Sequence, residues 1–413
     1  MATKLKGKAC VGQSGGPTAV INQTLAGIIE EARRHKEITA LLGARHGVEG
    51  IFGDDYLNLF KVTAKRLAGV AATPGAALGS VRHKPKPEDC QRLFEQFKKN
   101  GVRYFFYIGG DDSALAAHLI NQAAAREDYE LRIFHVPKTI DNNLMENDHT
   151  PGFGSAARFV ASAVRGDDLD NRSIPGVKVD VIMGRDAGWL TASAMLARQK
   201  EGDGPHLIYL PETPFTIEKF TADVRQAVEK YGRCVAAVSE GIRDAQGNLW
   251  AAIAGERLFE ALKDDRKDIL GKPKKDAFGH HQLSGTGILA DYLTARVKEA
   301  VEVGRVRGDT FGYLQRSFPG FASKTDAREA RMVGRDAVRY ACKGDTDGSV
   351  AIKREKGRAY KVHTEVVPLE AVAGKNREVP KEYICPGGND VCPAFRDYCL
   401  PLVGELPETA LLE

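Results

Sequence analysis

Two acidic motifs near the middle of the chain carry the residue types that phosphoryl transfer requires. GGDDS spans residues 109–113 and PKTIDNN spans residues 137–143, and each follows a short apolar segment. Together they supply carboxylates, a lysine and glycine-rich backbone at the ends of two predicted strands. Phosphoryl transfer depends mainly on positioning and on neutralising phosphate charge, so this set suits a phosphate donor that faces a hydroxyl acceptor.

GGDDS predicts a site for a metal-bound phosphate. Gly109 and Gly110 let the backbone approach a ligand closely. Asp111 is a candidate Mg²⁺ ligand, because Mg²⁺ prefers carboxylate and phosphate oxygens. The alternative is an ordinary turn in which Asp112 or Ser113 caps a helix. Two consecutive acids crowd like charge without a structural gain, so the functional interpretation is preferred.

PKTIDNN supplies a candidate general base and a fixed cation. Asp141 can accept a proton from an alcohol that lies within hydrogen-bond reach, and Lys138 precedes it by three residues. The alternative is a polar turn with an exposed lysine. The motif alone does not decide between these two interpretations.

The segment GQSGG, residues 12–16, permits three interpretations. It lacks the spacing of the dinucleotide-binding fingerprint. It fits the G-x-S-x-G nucleophile elbow of serine hydrolases, with Ser14 as nucleophile, but too few residues precede it for that fold. Pro17 at a predicted helix start favours a loop that binds phosphate through backbone amides, and this is the preferred interpretation.

Three later motifs, MGRDAGW (183–189), SEG (239–241) and FGYLQR (311–316), supply polar side chains that suit a sugar phosphate. Arg185 and Arg316 can bind phosphate in a bidentate manner, and Glu240 can accept hydrogen bonds from sugar hydroxyls. Tyr313 lies in the last of these motifs. Each of these residues, taken alone, is more typical of an exposed protein surface.

Apolar segments alternate with helical patterns along the chain, which predicts an α/β fold with mostly parallel sheets and helices on both faces. Helices are expected over residues 19–34 and 190–198, and a charged loop over 263–282. Ligands of such sheets bind outside the carboxyl ends of the strands. The glycine-bearing motifs follow predicted strands, so the same edge of each sheet is expected to carry the chemistry.

Composition excludes several classes of function. The 413 residues are 43% hydrophobic and 28% charged, and 59 basic against 55 acidic residues give a net charge of +4. Without a basic block, nucleic acid is not expected as a ligand. No apolar run reaches the roughly 20 residues of a membrane helix, so no membrane partner is expected and a cytoplasmic location is inferred.

The seven cysteines do not indicate a disulfide scaffold in a chain of this length. Cys385, Cys392 and Cys399 recur at every seventh position, which raises the alternative of a zinc site. Their spacing lacks the short Cys-x-x-Cys pairs of structural zinc sites. Reduced, structural cysteines are therefore preferred.

Taken in order, the motifs resemble the 6-phosphofructokinase family over residues 9–335. SGGPTAVIN, ALGSVR, GGDDS, TID, MGR, SEG and GYLQR occur in the order of that family. The resemblance implies two α/β lobes with the active site in the cleft. It also implies that Gly16 and Arg82 contact the phosphate donor, that Asp111 binds Mg²⁺, and that Asp141 accepts the proton of the sugar's 1-hydroxyl.

The resemblance implies further residues around fructose 6-phosphate. These are Thr139, Ile140, Asp141, Met183, Gly184, Arg185, Glu240, Tyr313, Leu314, Gln315 and Arg316. Arg307 matches an arginine that the family contributes from a neighbouring subunit, so a homodimer or homotetramer is expected. The donor-binding lobe is expected at residues 1–152 plus about 315–365, and the sugar-phosphate lobe at 153–314 plus about 366–413.

Asp112 and Lys138 indicate the donor. ATP-using members of the family usually have glycine at both positions, and this pair resembles the diphosphate-dependent branch. An acid in the space of the α-phosphate of ATP would repel it by about 4 kcal/mol, for unit charges ~4 Å apart at an effective dielectric constant near 20. Asp141, Lys138 and Asp112 are therefore expected to be the catalytic group of a reversible, diphosphate-dependent enzyme that uses Mg²⁺. An ATP-dependent enzyme and a non-catalytic regulatory subunit are the alternatives.

Four residues depart from the family pattern. Asn143 stands where many members have a second acid, and Ser317–Phe318 replace a common Gly-Gly. Gly176 stands where many members have an arginine that reaches a neighbouring active site. Lys178 is the nearest cation that could replace this arginine, and the sequence leaves that question open.

Overall fold

The computed structural model describes residues 5–83, 86–127, 129–261, 285–357 and 359–412. These residues form two compact units. Unit 1 comprises Met1–Ala156 and Arg316–Arg377, and unit 2 comprises Ala157–Gln315 and Glu378–Glu413. The expected charged loop at residues 263–282 lies outside the described residues.

The strands alternate with helices through most of the chain. In chain order the strands are β1 (Gly7–Gln13), β2 (Ile38–Ala44), β3 (Tyr56–Asn58), β4 (Val102–Gly109), β5 (Arg132–Pro137), β6 (Val177–Ile182), β7 (Leu207–Tyr209), β8 (Cys234–Ser239), β9 (Val306–Thr310), β10 (Asp347–Arg354) and β11 (Val362–Val367). The helices are α1 (Ile21–Ala32), α2 (Val48–Phe52), α3 (Ala64–Ala72), α4 (Pro87–Asn100), α5 (Asp111–Ala124), α6 (Phe153–Ser173), α7 (Trp189–Ala192), α8 (Ile217–Tyr231), α9 (Trp250–Ala261), α10 (Ile288–Ala300), α11 (Lys324–Lys343), α12 (Leu369–Val372) and α13 (Pro393–Val403).

The described part of unit 1 contains a seven-stranded sheet in the order β11-β10-β5-β4-β1-β2-β3. Its inner strand pairs are parallel, and the edge strands β3 and β11 pair in the antiparallel direction. Strand β4 is apolar on both faces because helices cover both. Tyr104 and Phe106 pack into one core cluster and Phe105 and Tyr107 into the other.

The described part of unit 2 contains a four-stranded parallel sheet in the order β7-β8-β6-β9. Val177, Val179 and Val181 of β6 alternate toward a core that includes Val224 of α8 and Leu293 of α10. The predicted α/β fold with mostly parallel sheets is therefore confirmed.

Two predicted helix boundaries are wrong. Helix α1 begins at Ile21, so Pro17 lies four residues before the helix and not in its first turn. Residues 189–197 form the short helix α7 followed by a 3₁₀ segment, Ser193–Ala197, instead of one α-helix over 190–198. Among the described residues, no helix has both the length and the apolar character that a bilayer crossing requires.

Candidate active site

Three of the predicted motifs begin at adjacent strand ends in unit 1. The registers pair Gln13 of β1 with Ile108 of β4, and Gly109 of β4 with Pro137 of β5. The hydrogen-bond ladder between β4 and β5 continues one residue past the end of β5, since the Lys138 amide donates to the Gly109 carbonyl oxygen at 2.9 Å. The residues after β1, β4 and β5 therefore meet at the carboxyl edge of the sheet, as the sequence predicts.

The loop after β1 is held against the segment that precedes Arg82. The Gly15 amide donates to the Val81 carbonyl oxygen at 3.0 Å, and Ser80 Oγ donates to the Gly15 carbonyl oxygen at 2.5 Å. Gly15 has a φ of 74°, and a Cβ there would lie 3.2 Å from Lys138 Nζ. Both the backbone conformation and the nearby ammonium group favour glycine at this position.

Asn22 of helix α1 connects the end of β1 to the segment 73–77. Its side-chain oxygen accepts hydrogen bonds from Gln13 Nε2 at 3.1 Å and from the Ala77 amide at 2.9 Å. Its side-chain nitrogen donates to the Thr73 carbonyl oxygen at 2.9 Å. The first turn of α1 is therefore tied to the end of β1 and to residues 73–77.

Lys138 is the buried cation of this edge. Its side chain is almost fully buried, and Nζ donates to the Gly16 carbonyl oxygen at 2.8 Å. The pKa of Lys138 is lowered to about 7, chiefly by burial and next by the Arg316 cation, while the Asp141 carboxylate opposes both effects. Arg82 also acts to lower this pKa. Three cations thus lie close enough to interact, an arrangement that suits an anion with several charges.

Arg316 lies beside the glycine loop. A Cβ placed on Gly16 would stand 3.0 Å from the Arg316 guanidinium carbon. Arg316 belongs to unit 1, whereas the residues that precede it in the FGYLQR motif belong to unit 2. The structure therefore groups this arginine with the expected donor-binding residues, although the family resemblance places it around the sugar phosphate.

The GGDDS acids form the first turn of helix α5. The helix begins at Asp111, and Gly110 is its N-cap without a side-chain cap, so the alternative in which Asp112 or Ser113 is the cap is wrong. Burial raises the pKa of Asp111, and the neighbouring charges of Asp112 and Asp141 raise it further, while backbone amides lower it. A divalent cation bound by Asp111 would relieve this repulsion, since Mg²⁺ prefers carboxylate oxygens.

Asp141 lies in a turn that side-chain hydrogen bonds hold in place. The Asp141 amide donates to Thr139 Oγ1 at 3.0 Å, and Thr139 Oγ1 donates to Asp141 Oδ2 at 3.4 Å. Asn142 adopts a φ of 56°, and its side-chain oxygen accepts the Thr150 amide at 3.0 Å. The turn interpretation and the general-base interpretation are thus compatible, because the turn is what orients the carboxylate. Ile140 is buried beneath this turn.

Asn143 has a structural partner of its own. Its side-chain nitrogen donates to Asn376 Oδ1 at 2.6 Å, and the Arg377 amide donates to the Asn143 carbonyl oxygen at 2.8 Å. The position where many family members have a second acid therefore ties the Asp141 loop to the last residues of unit 1.

Helix α11 anchors the segment that follows this loop through two acids that are not among the predicted site residues. Asp326 accepts the Gly152 and Ser155 amides, both at 2.8 Å, and burial raises its pKa to about 6. Glu329 lies 2.6 Å from His149 Nε2, and both side chains are buried. Asp326 and Glu329 are three residues apart, on the side of α11 that carries its buried residues, where acids are not expected. This spacing is the sequence signal that could have identified them as buried hydrogen-bonding residues.

The polar motifs of unit 2 also follow adjacent strand ends. The register pairs Ile182 of β6 with Ser239 of β8. The Glu240 amide donates to the Ile182 carbonyl oxygen at 2.8 Å, and the Phe311 amide donates to the Val181 carbonyl oxygen at 3.0 Å. The MGR, SEG and FGYLQR motifs are therefore brought together at the carboxyl edge of this second sheet.

The loops that carry Met183, Arg185 and Glu240 interlock. Ser239 Oγ donates to the Gly184 carbonyl oxygen at 2.6 Å. Gly184 has a φ of 140°, and a Cβ on Gly241 would lie 2.5 Å from the Gly184 carbonyl oxygen. Because the two backbones touch, the positions of Arg185 and Glu240 are set together.

The FGYLQR motif contains a buried glutamine that holds its turn and two exposed residues. Gly312–Arg316 is a 3₁₀ segment in which Gln315 is buried and donates through Nε2 to the Gly312 carbonyl oxygen at 2.8 Å. Tyr313 is 47% exposed and Leu314 64% exposed. Exposed apolar residues beside a polar strand edge fit a ligand-contacting surface, whereas the side-chain nitrogen of Gln315 holds the turn.

Lys178, the nearest cation to Gly176 in the sequence, forms ion pairs within unit 2. Its Nζ lies 2.7 Å from Asp167 and 3.6 Å from Asp309, both in unit 2. A side chain at Gly176 would meet the Arg305 carbonyl oxygen, so this position tolerates no larger residue without a shift. Arg307 is exposed on the edge strand β9 and pairs in register with Lys178.

Comparison with known proteins gives a consistent result over nearly the whole chain. A family model described as Phosphofructokinase matches residues 8–340. The chain is 48% identical over 399 residues to the pyrophosphate--fructose 6-phosphate 1-phosphotransferase of Rhodospirillum rubrum, covering 97% of this chain and 95% of the relative. A relative of the same name from Xanthomonas campestris is 40% identical, with 97% and 93% covered. The crystal structure of a pyrophosphate-dependent phosphofructokinase from Marinobacter aquaeolei is similar with a TM-score of 0.81 and 32% identity, covering 98% of this chain and 93% of that one.

Proposed function

Because the chain belongs to the phosphofructokinase family, we propose that it catalyses the reversible transfer of a phosphoryl group from diphosphate to the 1-hydroxyl of fructose 6-phosphate. The products are fructose 1,6-bisphosphate and phosphate. The observation that carries this assignment is the buried Lys138 ammonium, hydrogen-bonded to the Gly16 carbonyl oxygen beside Arg316. The names of the full-length relatives from Rhodospirillum rubrum and Xanthomonas campestris support it.

Asp112 accounts for the choice of diphosphate over ATP. Its carboxylate stands in the first turn of α5, next to Asp111. We infer that it takes the space that the α-phosphate of a nucleotide would need. Repulsion of about 4 kcal/mol at ~4 Å and an effective dielectric constant near 20 corresponds to roughly a thousandfold in affinity. Lys138 adds attraction for the compact diphosphate, so repulsion of ATP and attraction of diphosphate act in the same direction.

Magnesium fits the acidic residues of unit 1. The pKa of Asp111 is raised by burial and by the charges of Asp112 and Asp141, and a bound divalent cation would remove this repulsion. We propose that Asp111 holds Mg²⁺. When bound, the ion neutralises charge on the phosphate oxygens of the donor.

The residues of unit 1 have distinct roles in the proposed reaction. Asp141 accepts the proton of the 1-hydroxyl as that oxygen attacks the nearer phosphorus of diphosphate. The bridging P–O bond breaks, and the released phosphate carries the electron pair. Lys138, Arg82 and Arg316 stabilise the charge on the transferring and leaving groups. Thr139 orients the base through its two contacts with Asp141.

The residues of unit 2 are proposed to recognise the sugar phosphate. Arg185 would bind phosphate oxygens, Glu240 would accept hydrogen bonds from sugar hydroxyls, and Tyr313 would pack against the sugar. Unit 1 is accordingly proposed as the donor-binding unit and unit 2 as the sugar-phosphate unit. Arg307, exposed on an edge strand, is proposed to act in a homodimer or homotetramer. Both substrates are multiply charged anions, and we propose a cytoplasmic location for the enzyme.

Replacement of the proposed base tests the assignment. Asp141→Asn should lower kcat about a thousandfold, because general-base catalysis contributes on this scale. Binding of fructose 6-phosphate, measured by calorimetry, should stay within a few-fold of the unsubstituted protein. Glu146→Gln is the matched control, since Glu146 lies on the same loop and pairs only with the partly exposed Lys353 among the ion pairs described. A kcat for Asp141→Asn equal to that of the control would remove Asp141 from the mechanism.

A further inference from the structure

Two cysteines of the C-terminal segment face each other across a short hairpin in unit 2. Ile384 and Val391 form an antiparallel bridge. The Cys385 amide donates to the Asp390 carbonyl oxygen at 3.0 Å, and the Cys392 amide donates to the Tyr383 carbonyl oxygen at 2.8 Å. This register places Cys385 opposite Asp390 and Cys392 opposite Tyr383, so the two cysteines are diagonal neighbours on the same face of the hairpin, within reach of each other.

The two sulfur atoms are in contact. Cys385 Sγ and Cys392 Sγ lie 3.0 Å apart, both residues are partly exposed, and neither is in a disulfide. We propose that Cys385 and Cys392 are a redox-active pair that closes to an intramolecular disulfide by exchange with a low-molecular-weight disulfide. This proposal goes beyond the kinase reaction and does not depend on it.

The geometry does not favour the zinc alternative. Cys399 lies in α13 and is buried, whereas the other two cysteines are partly exposed. Within the described ranges, the three C-terminal cysteines do not form a cluster of ligand atoms close enough together for one metal ion, whereas His35, Glu37 and Cys342 do, and so do Asp167, Asp180 and Asp309. The C-terminal cysteines thus act as a pair and not as a set of three ligands.

The exchange proceeds in two balanced steps. Burial and, to a smaller extent, the contact with Cys392 raise the pKa of Cys385 to about 12, so Cys392 is the sulfur that reacts first, after losing its proton to solvent. It attacks one sulfur of the small disulfide, forms a mixed disulfide and releases one thiolate. Cys385 then loses its proton to solvent and attacks the Cys392 sulfur, which releases the second thiolate. Two electrons pass from the cysteine pair to the small disulfide, and two small thiols are formed.

The hairpin fastens the C-terminal segment to the rest of unit 2. The Ile208 amide of β7 donates to the Asn389 carbonyl oxygen at 2.8 Å. Both outer nitrogens of the Arg198 guanidinium donate to Asp390, at 3.1 and 2.8 Å. Tyr383 packs against Trp189 at a ring-centroid distance of 6.2 Å. A disulfide across this hairpin would limit its opening, so the oxidised form should hold these contacts more firmly.

The test uses the full-length protein incubated with glutathione disulfide or with reduced glutathione. Remaining thiols are alkylated, and the peptides are identified by mass spectrometry. The oxidised sample should contain a Cys385–Cys392 cross-link that lacks two hydrogen atoms, and its Tm should rise by about 5 °C, as expected for closing a short loop in a unit of this size. The reduced sample should be alkylated at both positions.

Two variants separate this proposal from general oxidation. Cys342→Ser removes a partly exposed cysteine of unit 1 and should form the cross-link normally. Cys392→Ser should carry no internal cross-link and should show no rise in Tm with glutathione disulfide. Glutathione adducts on both Cys385 and Cys392 without a cross-link, or a cross-link that involves Cys399, would overturn the proposal. Complete alkylation of both cysteines after oxidation would overturn it as well.

Discussion

The buried Lys138 predicts that diphosphate binding is coupled to the uptake of a proton. The pKa of Lys138 is lowered from 10.5 to about 7, chiefly by burial. In the ligand-free protein the side chain is therefore about half charged at pH 7 and about one-tenth charged at pH 8. Diphosphate binds to the ammonium form, so binding above pH 7 requires that a proton be taken up.

The magnitude follows from this pKa. Above pH 7 each pH unit should weaken diphosphate binding about tenfold through Lys138 alone, or about 1.4 kcal/mol. Below pH 7 the lysine is charged, and its contribution should be about 1.5–3 kcal/mol, typical of hydrogen bonds to charged groups. Lys138→Met should therefore bind diphosphate roughly 10- to 100-fold more weakly at pH 6. The difference from the unsubstituted protein should shrink as the pH rises toward 9.

Titration calorimetry with diphosphate and Mg²⁺ at several pH values measures this effect. The ionisation of diphosphate is the same for both proteins, so the ratio of their dissociation constants isolates Lys138. Lys99→Met is the control, because Lys99 is exposed and pairs with Asp54 at 3.2 Å. It should change neither the affinity nor its pH dependence. A ratio between the Lys138→Met and unsubstituted proteins that stays constant from pH 6 to pH 9 would refute the coupling.

Two further predictions concern donor choice and stability. Asp112→Gly should bind ATP more tightly than the unsubstituted protein, and the double variant with Lys138→Gly should gain more affinity. Binding is measured by calorimetry with MgATP. If neither variant gains any affinity for ATP, repulsion by Asp112 is not the cause of donor choice. Glu329→Gln should lower the free energy of unfolding by about 2 kcal/mol, because it removes the charge that accepts the buried His149 hydrogen bond. Glu365→Gln is the control, since Glu365 is 45% exposed and its ion pair with a lysine is worth less than about 1 kcal/mol. Both free energies of unfolding are measured with urea, and equal decreases in the two variants would argue against the role given to Glu329.

The sequence predicts the position of the site because the strand-end motifs are local signals. Gly109, Asp111 and Lys138 are adjacent in the chain to strands that can be recognised by their apolar residues. Parallel strands bring their carboxyl ends to one edge, so the grouping follows from the fold class. The fold class and the strand ends could therefore be predicted without coordinates.

The missed features depend on contacts between distant parts of the chain. His149 and Glu329 are 180 residues apart, and Asp326 is 171 residues from Ser155. The burial of Lys138 and its proximity to Arg316 are likewise tertiary properties that no local pattern carries. The predicted helix start at Pro17 is wrong for a related reason, because Ser80 and Val81, which are distant in the chain, hydrogen-bond to Gly15 in an irregular loop ahead of α1.

The central claim is that diphosphate is the phosphoryl donor. Its most direct test is to incubate the purified protein with fructose 6-phosphate and Mg²⁺, and with either diphosphate or ATP, and to follow the formation of fructose 1,6-bisphosphate. The account predicts rapid formation with diphosphate, reversal when phosphate and fructose 1,6-bisphosphate are supplied, and turnover with ATP that is lower by roughly a thousandfold, the ratio that about 4 kcal/mol of repulsion implies. Equal or faster turnover with ATP would contradict it.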